Sequence, residues 1–150
     1  MHHLRLIRVL KAIPMVPVLL SLDAALYLFG LSRIDRVLQR VQNRPVWRGG
    51  RDDAGDPRLD ERTQRFVAGL DRAARIGRSN GRCLRRSLVL RAWLARQGVS
   101  TELELGVRRT PGGMTAHAWI VWADQPIYED AQVIGEHVSF GPFSGHGHQP

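Results

Sequence analysis

The hydrophobic period of this chain changes once, at Gly98, and that change limits the folds open to it. Before Gly98 the apolar residues recur at helical spacing; after it they alternate. From about Arg82 or Cys83 to Gln97, Leu84, Leu88, Val89, Ala92, Trp93 and Ala95 cover one side, and Leu90 and Leu94 another. A helix apolar over so wide an arc must be covered on more than one face. Beyond Gly98, Leu103, Leu105 and Val107 share one face of a strand. Thr110-Pro111-Gly112-Gly113 is a turn, 115–122 a second strand, Ala123-Asp124-Gln125-Pro126 another turn, and Ile127-Tyr128-Glu129 a short return strand. Helices first, then a central helix followed by a three-stranded antiparallel sheet, is an α+β arrangement.

The region before the central helix reads as helical. Basic residues in 1–12 precede the apolar run IPMVPVLLSLDAALYLFGL at 13–31, an order that resembles a signal peptide. Pro14, Pro17 and Asp23 interrupt the run, and no small-x-small cleavage site follows. Asp23 near the middle of a spanning helix would cost roughly 2.5–3.5 kcal/mol. Two short core helices, broken near Pro14 and Pro17, are the preferred reading, with peripheral membrane contact as the alternative. Ser32 is placed as the N-cap of a helix running to about Val41, and Asn43-Arg44-Pro45 ends it. Residues 47–58 form a polar loop whose Asp52, Asp53 and Asp56 have no calcium-loop spacing. Leu59–Ile76 is an amphipathic helix stopped by Gly77, and Ser79 or Asn80 caps the next one. Residues 1–58 are thus a helical N-terminal region and linker within the same domain as a core at 59–150. The tail from Gly141 is Gly-, Pro- and His-rich and is expected to fray.

One cysteine in 150 residues rules out an internal disulfide and fits a reducing cytoplasm. The formal net charge is +8, with Lys11 the only lysine among 22 basic residues. Such a surface favours acidic partners. No phosphate-binding glycine loop is present, and the basic residues lack aromatic interleaving, so nucleic acid is not the expected partner. No cofactor is called for. His146-Gly147-His148, His2, His3 and His137 form no metal-binding pattern with the single cysteine.

Cys83 stands at a helix start, where free N–H groups and the dipole favour a thiolate, and Arg82, Arg85 and Arg86 add positive potential from the wet side of the helix. Most lone cysteines are small buried hydrophobes; the helix-start position sets this one apart. His117 lies between Ala116 and Ala118, small neighbours that leave room for another element to approach. Glu129 and Asp130 end the hairpin that follows, and either acid can orient the imidazole through its second nitrogen. Thiol, imidazole and carboxylate on three elements are the parts of a cysteine nucleophile.

Cys83-Leu84-Arg85-Arg86-Ser87-Leu88, Leu94 to Gly98, Leu105-Gly106-Val107-Arg108 and Ala116-His117-Ala118-Trp119 together resemble the transglutaminase-like leader peptidase of lasso-peptide biosynthesis. The resemblance is concentrated in residues 81–130. It implies a papain/transglutaminase-like core and a cysteine protease that cuts the leader from a precursor peptide. It also implies a separate macrolactam cyclase. The helical character of the residues before Cys83 implies that leader recognition belongs to a separate small protein. Cys83 and His117 take the nucleophile and base positions; the third, usually aspartate, falls on Glu129 with Asp130 beside it. An acyl transferase on the same residues, and a non-enzymatic adaptor that docks an acidic partner, are the competing readings.

Overall fold

The computed structural model describes residues 15–42, 56–57, 60–76 and 81–143. It has the α+β organisation that the change of period implies, and its centre is the helix that carries Cys83. In chain order the elements are α1 (Met15–Phe29), α2 (Leu31–Gln42), α3 (Glu61–Ile76), α4 (Arg82–Arg96), β1 (Glu102–Thr110), β2 (Gly113–Trp122), β3 (Gln125–Ile127), α5 (Ala131–Gly135) and β4 (Val138–Pro142). The strands form one antiparallel sheet in the order β3-β2-β1-β4.

Helix α4 buries two sides, as its composition requires. Leu90 and Leu94 pack with Leu70, Ala73 and Ala74 of α3 and with Ile120 and Ile127 of the sheet. Leu88 packs with Leu103 and Ala118, and Leu26, Ile34 and Leu38 of α1 and α2 close over that cluster. Phe66 of α3 stacks on Trp93 at 4.1 Å. Both N-terminal helices are also tied to α4 by charge. Asp23 of α1 pairs with Arg85, and Asp35 of α2 with Arg91, the latter pair only 0% and 3% exposed. A pair so thoroughly removed from water holds its geometry because either charge alone would be costly there.

Several local expectations change. Residues 15–29 form one helix, not two, with Pro17 in its first turn; the missing proline N–H has no intrahelical partner there in any case. Pro14 lies outside the described residues. Ser32 is inside α2 and does not cap it. Gly30, at φ 73°, turns the chain, accepts from Ile34 N–H and donates to Leu26. Among the described residues no single helix is long and apolar enough to cross a membrane; α1 and α2 reach that length only as a pair bent by 114°. Helix α3 is capped by Asp60, whose carboxylate accepts from Thr63 N–H at 2.9 Å and Thr63 Oγ1 at 2.6 Å. The loop at 47–55, Gly77, and the caps assigned to Ser79 and Asn80 lie outside the described residues. Gly81, at φ 72°, stands at the N-cap of α4 with no side-chain cap bond.

The sheet has a fourth strand. β4 pairs with β1 at the outer edge, and Phe143 N–H donates to Leu103 O, so the start of the tail is paired rather than frayed. The β1–β2 hairpin sets Gly106 opposite His117 and Leu105 opposite Ala118. Gly106 has no room for a side chain unless its neighbours move: a Cβ there would lie 2.6 Å from the Trp119 ring and 3.0 Å from Val138 O. That close approach lets the Trp119 ring, 1% exposed, lie against Gly106 beside His117.

Candidate active site

Cys83 is the second residue of α4. Arg85 N–H makes the first helical bond, to Gly81 O, so the amides of Arg82, Cys83 and Leu84 have no helical acceptor. His117 enters from β2. Its neighbour Ala118 is locked to α4 by Ser87, whose hydroxyl donates to Ala118 O at 3.0 Å in a buried bond. Ser87 is one helical turn beyond Cys83. One helix–strand tie therefore fixes the distance between the residue with the thiol and the residue with the imidazole.

The carboxylate arrives by a bend. If the β2–β3 register, Ile120 opposite Ile127, ran on unchanged, Asp130 would face His117. Tyr128 instead takes φ 57°, a left-handed conformation that costs on the order of 1–2 kcal/mol for a residue with a Cβ. It is held at both ends. Its hydroxyl donates to Pro57 O, and its carbonyl accepts from Arg86 Nη2 at 2.6 Å. The bend ends β3 and delivers Glu129 to the imidazole, with Oε2 3.3 Å from His117 Nε2. This is an ion-pair contact, not an aligned hydrogen bond; such contacts tighten when substrate fills a site. Asp130 is carried past, and its carboxylate caps α5 by accepting from Gln132 N–H at 2.8 Å. The structure thus brings Cys83, His117 and Glu129 together and leaves Asp130 outside the group.

The charges reinforce one another. His117 is pushed up to about 9, first by Cys83 and next by Glu129, against the opposing effect of burial. Burial works against ionisation of Cys83, but His117, then the backbone at Ala118 and Leu84, outweigh it and lower the thiol below its ordinary 9.0. Glu129 is likewise lowered despite burial, by His117 and then Arg86. Each shift favours the charged form of its group, so thiolate, imidazolium and carboxylate support one another in a row. With Nε2 turned to Glu129, Nδ1 is the nitrogen left for the thiol.

Sequence reasoning set Arg85 and Arg86 towards water, and both are corrected. Arg85 is buried against Asp23. Arg86 donates to Asp71 at 2.5 Å and to Tyr128 O, and reaches Glu129 at 3.5 Å. The available signal was its spacing, three residues from Cys83 and so on the same helical face. His137 also comes close: its ring centroid is 5.2 Å from that of His117, and its Nδ1 is 2.7 Å from Val133 O. His2, His3, His146 and His148 lie outside the described residues. Among the described residues no cluster of three or more His, Cys, Asp or Glu side chains could hold a metal ion.

All three groups open on one cavity of about 570 Å³ between α3, the start of α4 and the sheet. A thiol at a helix start, facing a strand imidazole backed by a carboxylate in an α+β core, is the arrangement of the papain- and transglutaminase-like class. The chain belongs to the transglutaminase-like superfamily, whose family model matches residues 25–143. No curated protein and no solved structure matches the chain. The superfamily supports cysteine protease or acyl-transfer chemistry.

Proposed function

We propose that this chain is a cysteine endopeptidase that removes the leader from a lasso-peptide precursor, with Cys83 as nucleophile, His117 as base and Glu129 as the group that orients the imidazole. The observation that carries the reading is the row of thiol, imidazole and carboxylate along one open cavity, with the thiol lowered and the imidazole raised. The thiolate attacks the carbonyl at the leader–core junction. Imidazolium gives its proton to the leaving amine, and a thioester to Cys83 remains. The amides at the start of α4, which have no helical acceptor, are suited to stabilise the oxyanion. Water, deprotonated by His117, then attacks the thioester, releases the leader carboxylate and restores the thiolate beside the imidazolium.

In this reading α1 and α2, tied to α4 through Asp23 and Asp35, are part of one catalytic domain and not a leader-recognition module. Recognition then falls to a separate small protein, and a macrolactam cyclase acts on the freed core peptide, all in the cytoplasm. The test is to mix the protein with a precursor peptide and its recognition partner and to weigh the products. Cleavage at one bond that Cys83→Ala and His117→Ala abolish supports the proposal; cleavage by Cys83→Ala sinks it. A product joined to an added amine would assign acyl transfer to the same three residues.

A further inference from the structure

The walls of the cavity carry more positive charge than the catalytic groups need. Arg86 is accounted for by Asp71, Glu129 and Tyr128 O. Glu129 also faces the imidazolium. Two further arginines line the same cavity: Arg75, in the last turn of α3, and Arg82, the first residue of α4. Both are exposed, and neither makes an ion pair among the described residues. One Cys83 thiolate cannot neutralise two guanidinium groups, and its charge disappears when a thioester forms. Water-facing arginines that line the same cavity as the nucleophile, with no carboxylate paired to them among the described residues, are available to a substrate anion. Guanidinium also has the planar donor geometry that a carboxylate matches with two hydrogen bonds.

We infer that Arg75 and Arg82 form a carboxylate-binding subsite, and that the peptide cut by this protein carries an acidic side chain close to the scissile bond. The inference deepens the peptidase reading and rests on it for the word substrate. The anion subsite itself can be tested without a known peptide, because Cys83 is the only cysteine. The probes are the N-iodoacetyl amides of Asp, Asn and Lys, which share one electrophile and differ in side-chain charge. In each, the Cys83 thiolate displaces iodide, a C–S bond replaces the C–I bond, and the gain in mass of the full-length chain gives the rate. Rates are divided by those of N-acetylcysteine amide.

The normalised rate should run Asp above Asn above Lys. Asp should exceed Lys on the order of tenfold, as two solvent-screened cations would give. High salt should shrink the ratio. Arg75→Gln and Arg82→Gln should each lower it, and the double variant should bring it close to one. Arg62→Gln should leave it unchanged, since Arg62 is thirteen residues earlier on the same helix and roughly 20 Å away along its axis. Equal normalised rates for the three probes in the wild-type chain, or an unchanged ratio in the double variant, would overturn the subsite. Fast alkylation with no charge preference would overturn the subsite and leave the nucleophile standing. Slow alkylation with the preference intact would remove the peptidase reading and keep the anion site.

Discussion

Replacing Glu129 by glutamine removes one negative charge and almost no volume, and its consequence can be worked out from the imidazole. His117 titrates at about 9 in place of 6.5, a preference of about 3 kcal/mol for the protonated ring. Cys83 is the larger source and Glu129 the second, so losing the carboxylate removes on the order of 1–2 kcal/mol of that preference. The imidazolium and the thiolate support each other, and the thiolate population at acidic pH should fall about five- to thirtyfold with it. The assay is the pH dependence of iodoacetamide alkylation at the single cysteine, followed by intact mass. In the wild-type chain alkylation should persist to lower pH than that of an ordinary thiol. In Glu129→Gln the profile should move to higher pH. Asp130→Asn should leave it in place, because Asn also caps a helix. A profile moved by Asp130→Asn and not by Glu129→Gln would refute the reasoning, as would no movement in either.

Four further outcomes follow from the same contacts. The Glu129–His117 pair exists above the depressed carboxylate pKa and below about 9, so its stabilisation is present at neutral pH and is lost both in acid and above about pH 9; the Tm gap between the wild type and Glu129→Gln should be widest near neutrality and narrow at both ends. Gly106→Ala drives a methyl into the Trp119 ring and Val138 O, and should lower stability in denaturant by about 1–3 kcal/mol, as overpacking does, and slow Cys83 alkylation through displacement of β2. Asp35→Ala takes its carboxylate away from the buried Arg91 and should cost about 3–5 kcal/mol of unfolding free energy, as breaking a buried pair does, whereas Asp35→Leu combined with Arg91→Met should recover most of it. Ser87→Ala removes the buried bond to Ala118 O; urea unfolding should register a loss of about 1–3 kcal/mol.

What was legible in the sequence, and what was not, divides by the range of the interaction. The period change at Gly98, the breadth of the apolar face of α4 and the alternation around His117 are local patterns, and they located the helix and strand that bear Cys83 and His117. The choice between Glu129 and Asp130 depended on a single backbone angle at Tyr128, held by Arg86 and Pro57 from elsewhere in the chain. No window of sequence around residue 129 contains those partners. Arg85 and Arg86 read as wet because arginines next to one another usually are; their partners Asp23, Asp71 and Glu129 come from three other segments. β4 went unread because its Val138 and Phe140 lie at an exposed sheet edge, which leaves no burial pattern to detect. Pro17 was read as a break because proline interrupts helix interiors, yet at the start of a helix it breaks nothing.

The most direct test of the central claim is cleavage of a precursor peptide, with its recognition partner present, in water enriched in oxygen-18. If a Cys83 thioester is resolved by water, the released leader carries one heavy oxygen in its new terminal carboxylate, and the Cys83→Ala protein releases no leader. An intact precursor, or a leader released equally well by Cys83→Ala, would contradict the assignment of Cys83 as the nucleophile of a peptidase.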